Sequence, residues 1–149
     1  MLDKCLGDVL HENDVKLCEG HSQSFPPQIL SLYNLCRGVK SVMEIGFNAG
    51  HSCEVFLTSD PDIRVTSFDI NQHGYTSYGV RYFAEHYPGR LEFIPGNSME
   101  TVPVYPDKKF DLIFVDGAPD YSVRLMPMAS GRPTRIAFAG LVLCLVAAT

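Results

Sequence analysis

The sequence predicts an α/β protein built on an open, mostly parallel sheet with helices on both faces. Short apolar segments alternate along most of the chain with segments of helical periodicity. The apolar segments lack a clean two-residue alternation, which is typical of strands that are buried on both faces, as in parallel sheets. With 149 residues the chain has the length of one domain with one sizeable core.

Four strands and four helices are predicted in alternation. Proline favours the first turn of a helix, while glycine and a later proline mark helix ends. Strands that alternate with helices imply right-handed βαβ units. The predicted strands span 41–46, 64–70, 91–94 and 110–116; the predicted helices run from Pro26 to about Gly38, over 50–57, over 78–87, and from a cap at Ser98 to Pro103 or Pro106.

The two ends of the chain have a different character from the core at 26–121. Residues 1–25 are predicted to form an N-terminal extension with a loose helix. Residues 122–149 form an atypical C-terminal segment, with a loop at 126–133 and then either a fifth strand through 139–144 or a short buried helix, since periodicity does not separate the two. If this segment does not complete the sheet, the fourth strand has a poorly covered edge, which favours a homo-oligomer.

Composition excludes several classes of protein. The net charge of −5 argues against a nucleic-acid partner, because binding to phosphates needs a basic face. Five cysteines, an odd number without a Cys-x-x-Cys motif, favour free thiols in a reducing compartment over zinc or disulfides. No segment reaches the roughly 20 apolar residues of a membrane span, and the N-terminus does not resemble a secretory signal. We therefore expect a cytoplasmic protein with no membrane partner.

Small, acidic and amide residues follow each predicted strand. In open α/β sheets, ligands bind at the carboxyl ends of the strands. Each residue alone has an ordinary structural interpretation as a turn residue, a helix cap or an exposed acid, but their joint placement favours a binding site. The residues concerned are Glu44, Gly46, Asn48 and Gly50 at the first strand, Asp69 and Asn71 at the second, Gly96, Asn97 and Ser98 at the third, and Asp116, Gly117 and Asp120 at the fourth.

The residue types favour a nucleoside ligand. Gly46 and Gly50 permit a tight turn and a close approach of the backbone to a ligand. The helix that starts near Gly50 presents free N–H groups to an anion such as a carboxylate. Asp69 can accept ribose hydroxyls, and Asp116 can face a positive charge. A dinucleotide site is ranked lower, because G-x-G-x-x-G would need glycine at Asn48, and this makes an NAD-dependent oxidoreductase the weaker alternative.

These motifs resemble those of class I S-adenosylmethionine-dependent methyltransferases. Residues 42–52 are similar to the family's first motif, E-x-G-x-x-x-G-x-S, and residues 67–70 to its second-strand motif. Residues 96–98 resemble its adenine-side motif, and 110–117 its fourth-strand motif, notably in members that act on the oxygen of small molecules. The resemblance implies a Rossmann-like fold that is incomplete at the C-terminus, because such enzymes usually have seven strands.

The resemblance also assigns expected roles by position. Asp69 would hold the ribose, with Asn71 nearby, and Asp116 would lie below the amino group and the sulfonium of S-adenosylmethionine. Asn97 and Ser98 would flank the adenine. The residues expected around the methionine end of the cofactor are Glu44, Gly46, Asn48, Gly50 and Ser52.

The implied activity is methylation of a small molecule at oxygen. A base assists when the acceptor is a hydroxyl, and Asp116, Asp120 and His51 are the candidates. In metal-dependent members the acid that matches Asp116 binds magnesium, but their further Asp-Asn ligands have no match here, so Asp116 is the single support for a metal. The alternative from another class is a non-catalytic cofactor-binding or protein-interaction module with the same fold.

Overall fold

A computed structural model describes residues 4–18, 26–106, 109–117, 134–138 and 141–146, the last range by its backbone. Helices and strands alternate from residue 26 to residue 115, as predicted. The elements are α1 (Leu6–Glu12), α2 (Pro26–Leu35), β1 (Ser41–Ile45), α3 (His51–Ser59), β2 (Arg64–Asp69), α4 (Thr76–His86), β3 (Leu91–Pro95), α5 (Ser98–Val104), β4 (Leu112–Val115), β5 (Arg135–Phe138) and β6 (Leu141–Val146).

The described strands form one six-stranded sheet in the order β3-β2-β1-β4-β5-β6. Neighbours pair in parallel, except that β6 runs antiparallel to β5. This confirms the predicted open, mostly parallel sheet. The chain moves outward from β1 to β3 and then returns to the other side of β1 with β4, so the strand order reverses between β1 and β4. Open α/β sheets bind their ligands at such a reversal.

Helices cover both faces of the sheet, also as predicted. On one face, Val42 and Phe114 join a large core to which α1, α2, α3 and α4 contribute. On the opposite face, Ile45 and Phe68 pack with Val102 of α5. Neighbouring residues of β1 therefore face opposite cores, as the pleat of a strand requires.

The C-terminal region differs from the prediction in two respects. The apolar run contains two strands, β5 and β6, so the alternative of a buried helix is wrong. β4 lies between β1 and β5, which means that its predicted open edge is also wrong, and the reason for expecting self-association is removed. The predicted loop at 126–133 lies outside the described residues.

Two helix predictions also need correction. The cap of α5 is Asn97 and not Ser98: the Asn97 side chain accepts a hydrogen bond from the Met99 N–H at 3.0 Å, and Pro103 lies inside the helix. The N-terminal helix is not loose. Leu6 and Leu10 of α1 are buried in the main core, because tertiary contacts stabilise a helix too short to persist alone.

Candidate ligand-binding site

A tight loop follows β1 at residues 46–50, hereafter the glycine loop. Its backbone is left-handed at Gly46 (φ +98°), Asn48 (φ +53°) and Gly50 (φ +97°), a conformation that glycine adopts freely and asparagine tolerates. A Cβ atom on Gly46 would lie 2.8 Å from the backbone nitrogen of Gly117, which follows β4. The glycine loop and the β4 loop are therefore in contact at the reversal of strand order.

The carboxylate of Asp69 holds the glycine loop. Its Oδ2 accepts the backbone N–H groups of Phe47 and Asn48, both at 2.8 Å, and its Oδ1 accepts that of Asn71 at 2.7 Å. A carboxylate has about four acceptor positions, of which three are filled here. The residue predicted to bind ribose thus fixes the loops after β1 and β2, and one of its acceptor positions is not used by the described residues.

Backbone hydrogen bonds join the ends of four strands. Gly46 donates to the Phe68 carbonyl, Gly96 to the Asp69 carbonyl, and Asp116 to the Ile45 carbonyl, each at 2.8 Å. The loops that carry the predicted site residues therefore lie along one edge of the sheet. Of these residues, Asn71, Asn97 and Asp116 are exposed, whereas Asp69 and Ser98 are half-buried.

Glu44 lies beneath the glycine loop and is fully buried. One of its carboxylate oxygens accepts the hydroxyl of Ser52, and the other accepts that of Ser67 at 2.6 Å. Burial raises the pKa of Glu44 to about 7, and the nearby Asp116 and Asp69 act in the same direction, although the two hydroxyls oppose it. Glu44 and Ser52 are thus buried and bonded to each other, and neither belongs to the exposed surface of the site.

The three candidate bases are in different positions. Asp116 is an exposed residue directly after β4. His51 is the first residue of α3 and is buried. Asp120 lies outside the described residues. Of the two candidates that the structure describes, Asp116 is therefore the exposed one.

Gly79 packs against the glycine loop but was not among the predicted site residues. A Cβ atom on Gly79 would lie 2.2 Å from the carbonyl oxygen of Ala49. The available signal was an isolated glycine inside a helical pattern, which often marks a close packing contact. Phe47 was also missed, although its buried ring anchors the loop.

An open α/β sheet with a glycine loop at the reversal of strand order is the architecture of Rossmann-like nucleotide-binding domains. Comparison with known proteins identifies the family. A family model described as a methyltransferase domain matches residues 43–144, and the chain belongs to that family.

Relatives and solved structures agree with this assignment. The chain is 25% identical over 118 residues to the O-methyltransferase imqG of Aspergillus flavus, covering 73% of this chain and 48% of that protein. It thus spans about half the length of that curated relative. The structure is similar to the O-methyltransferase TomG of Streptomyces achromogenes, solved with S-adenosylmethionine (TM-score 0.68, 20% identity, 93% of this chain and 66% of that chain).

The fold is also similar to an O-methyltransferase from Bacillus cereus, solved with S-adenosylhomocysteine (TM-score 0.67, 18% identity, 93% of this chain and 67% of that chain). At these identities the structural likeness establishes the fold. None of the described helices has the length and apolar character that crossing a membrane requires.

Proposed function

We propose that this chain binds S-adenosylmethionine at the carboxyl edge of β1, β2, β3 and β4 and transfers its methyl group to an oxygen atom of a small molecule. The observation that carries the proposal is the glycine loop at the strand reversal, fixed by the carboxylate that ends β2. Membership of a methyltransferase family supports it, and relatives named as O-methyltransferases favour oxygen as the acceptor atom.

The residues present fit this cofactor. A side chain on Gly46 would clash with the backbone after β4, so glycine keeps the two loops in contact. The N-terminus of α3 presents N–H groups suited to the carboxylate of the methionine part. Asp69 retains one acceptor position for a ribose hydroxyl, beside the exposed Asn71. Asp116 supplies negative charge for the amino group and the sulfonium. Asn97 and Ser98 lie at the start of α5, at the same edge of the sheet.

The protein's part in the reaction is chiefly to position the reactants. When bound, the cofactor would supply an electrophilic methyl group: a carbon–oxygen bond would form in line with the acceptor as the carbon–sulfur bond breaks and S-adenosylhomocysteine leaves. Orientation of donor and acceptor can lower such a barrier by about 7–11 kcal/mol in well-ordered systems. Asp69 contributes indirectly by fixing the loop, and we infer that the exposed Asp116 accepts a proton from a hydroxyl acceptor.

Magnesium has little support from the described residues. Asp116 belongs to no group of three histidine, cysteine, aspartate or glutamate side chains that could hold a metal in the part of the chain that the structure describes. These residues therefore do not fit a metal site, and no step of the proposed reaction uses one.

We also infer a reducing compartment such as the cytoplasm. The four cysteines for which the structure describes side chains, Cys5, Cys18, Cys36 and Cys53, are free thiols. Free thiols persist where the compartment is reducing. A disulfide in the protein isolated from its native compartment would contradict this inference.

Calorimetry with S-adenosylmethionine, S-adenosylhomocysteine and NAD tests the proposed cofactor. We expect the first two to bind and NAD not to bind; binding of NAD alone would instead support the oxidoreductase. Transfer of a labelled methyl group to a panel of phenols, sugars and amines then tests the reaction. We expect labelling of an oxygen atom in at least one acceptor, whereas cofactor binding without transfer to any acceptor would favour the non-catalytic module.

A further inference from the structure

Gly79 brings α4 into direct contact with the backbone of the glycine loop. A Cβ atom at this position would lie 2.2 Å from the Ala49 carbonyl oxygen, 3.0 Å from the Ala49 carbonyl carbon and 3.1 Å from Cε1 of the Phe47 ring. The first two are backbone atoms, which cannot turn aside as the end of a side chain can. Any larger residue at 79 must therefore displace either α4 or the glycine loop.

Aromatic packing holds the same loop against α4. The Phe47 ring is buried and makes edge contacts with Phe83 of α4 at 6.0 Å and with Phe93 of β3 at 5.1 Å between ring centroids. A Cβ atom on Gly50 would lie 2.5 Å from the Phe83 ring. These contacts fix the loop against α4, while Asp69 holds its other side through the Phe47 and Asn48 amides.

We propose that Gly79 is a positioning residue for the cofactor: by admitting the Ala49 carbonyl against α4, it sets the glycine loop where the loop receives the amino-acid part of S-adenosylmethionine. This inference rests on the proposed function. It assigns the position of the loop to a residue of a different element, 29 residues beyond Gly50.

The alternative is that Gly79 is merely an ordinary position of α4. In that case alanine should be tolerated or stabilising, because alanine favours the helix interior more than glycine does. The two interpretations therefore predict opposite results for the same substitution. Gly74 offers a matched control, since it lies just before α4 and a Cβ atom there would meet nothing within 4 Å.

The test compares Gly79→Ala and Gly74→Ala with the wild type by calorimetry. The two ligands are S-adenosylhomocysteine and 5′-methylthioadenosine, which keeps the nucleoside and the sulfur but lacks the amino-acid part. For Gly79→Ala we expect S-adenosylhomocysteine to bind at least roughly tenfold more weakly, the scale of a displaced binding group. We expect 5′-methylthioadenosine to bind both variants as it binds the wild type, and Gly74→Ala to bind both ligands normally.

Three results would overturn the inference. Unchanged affinity of Gly79→Ala for S-adenosylhomocysteine would show that the loop position does not depend on this glycine. Equal losses for both ligands would show a general defect of the fold. If Gly79→Ala does not fold, Phe47→Leu provides a second test, because it weakens the packing of the loop against α4. Normal binding of S-adenosylhomocysteine by Phe47→Leu would also contradict the inference. Failure of the wild type to bind S-adenosylhomocysteine would instead refute the proposed function itself.

Discussion

Glu44 is a carboxyl group placed where its charge is costly. It is fully buried, its partners are two neutral hydroxyls, and Asp116 and Asp69 lie close enough to repel its negative form. Its pKa is about 7 in the folded protein, against 4.5 for the ordinary group. The folded state therefore holds this proton over a pH range in which the unfolded chain has released it.

The protonation of Glu44 predicts how the stability of the protein depends on pH. Between pH 4.5 and 7 the folded state binds more protons at Glu44 than the unfolded state, so the contribution of Glu44 to stability falls as the pH rises. Glu44→Gln removes this dependence. Relative to that of the wild type, the free energy of unfolding of Glu44→Gln should rise by up to about 3 kcal/mol between about pH 5 and about pH 8, as measured by urea denaturation.

The exposed Glu85 supplies a control for that measurement. Glu85→Gln removes a carboxyl group from the surface of α4 without affecting the site. Because Glu85 is exposed and Glu44 is buried, we expect Glu85→Gln to change the free energy of unfolding less than Glu44→Gln does. Parallel pH curves for the wild type and Glu44→Gln would refute the account of Glu44.

Asp69 should stabilise the protein even without a ligand. Asp69→Ala leaves the amides of Phe47, Asn48 and Asn71 without their acceptor, and unsatisfied donors in a half-buried site are unfavourable. We expect the free energy of unfolding to fall by about 1–3 kcal/mol in urea denaturation. Binding of S-adenosylhomocysteine should also weaken by about 1–3 kcal/mol, the scale of a lost charge-assisted hydrogen bond.

A surface aspartate distinguishes this effect from a simple loss of charge. Asp62 is largely exposed, and its carboxylate forms an ion pair with Lys40 at 3.0 Å. Such pairs contribute about 0–1 kcal/mol, so Asp62→Ala should have little effect on stability and none on ligand binding. Equal stability losses for the two variants would contradict the role of Asp69 in fixing the loops.

Among the elements, α1 is attached to the core through Glu54 of α3. The Glu54 carboxylate accepts the Leu6 N–H at 2.8 Å and the Tyr82 hydroxyl at 3.1 Å, and all three residues are buried. Burial beside this acid raises the pKa of Tyr82 above its ordinary value. One side chain thus joins three helices, which explains why a helix of seven residues holds its place.

Loss of this contact should release α1. Glu54→Ala removes the acceptor of a buried amide. We expect the free energy of unfolding to fall by about 1.5–3 kcal/mol and amide hydrogen exchange to become faster throughout α1. Glu12→Ala is the control in the same helix, because Glu12 pairs with Lys4 on the surface. Unchanged exchange of the α1 amides in Glu54→Ala would show that apolar packing alone holds the helix.

For the molecule as a whole, local patterns were sufficient to predict the first four strands of the sheet and the helices between them. The buried strands, the helices between them and the residues at the strand ends all leave signals within short segments, and parallel pairing then brings the loops to one edge. The fourth strand was predicted to have an open edge because nothing in the atypical segment identified Arg135–Phe138 as the strand that pairs with it.

Contacts between distant residues could not be predicted in the same way. Glu54 meets Leu6 across 48 residues, and Gly79 meets Ala49 across two elements. Neither pair has a local pattern, because the contact depends on how the helices pack. The observed role of Asp69 in holding the loops and its predicted role in binding a ligand were also inseparable in the sequence, since a strand-end acid can accept hydrogen bonds from a ligand, from the backbone or from both.

Amide chemical-shift mapping with S-adenosylhomocysteine is the decisive measurement for the proposed cofactor site, because it reports which residues surround the ligand. We expect the largest shifts in the glycine loop and at residues 69–71, 96–98 and 116–117. The amides of Lys40 and Arg64, at the opposite edge of the sheet, should not move. Shifts concentrated at that opposite edge, or none at saturating ligand, would contradict a cofactor site at the carboxyl edge.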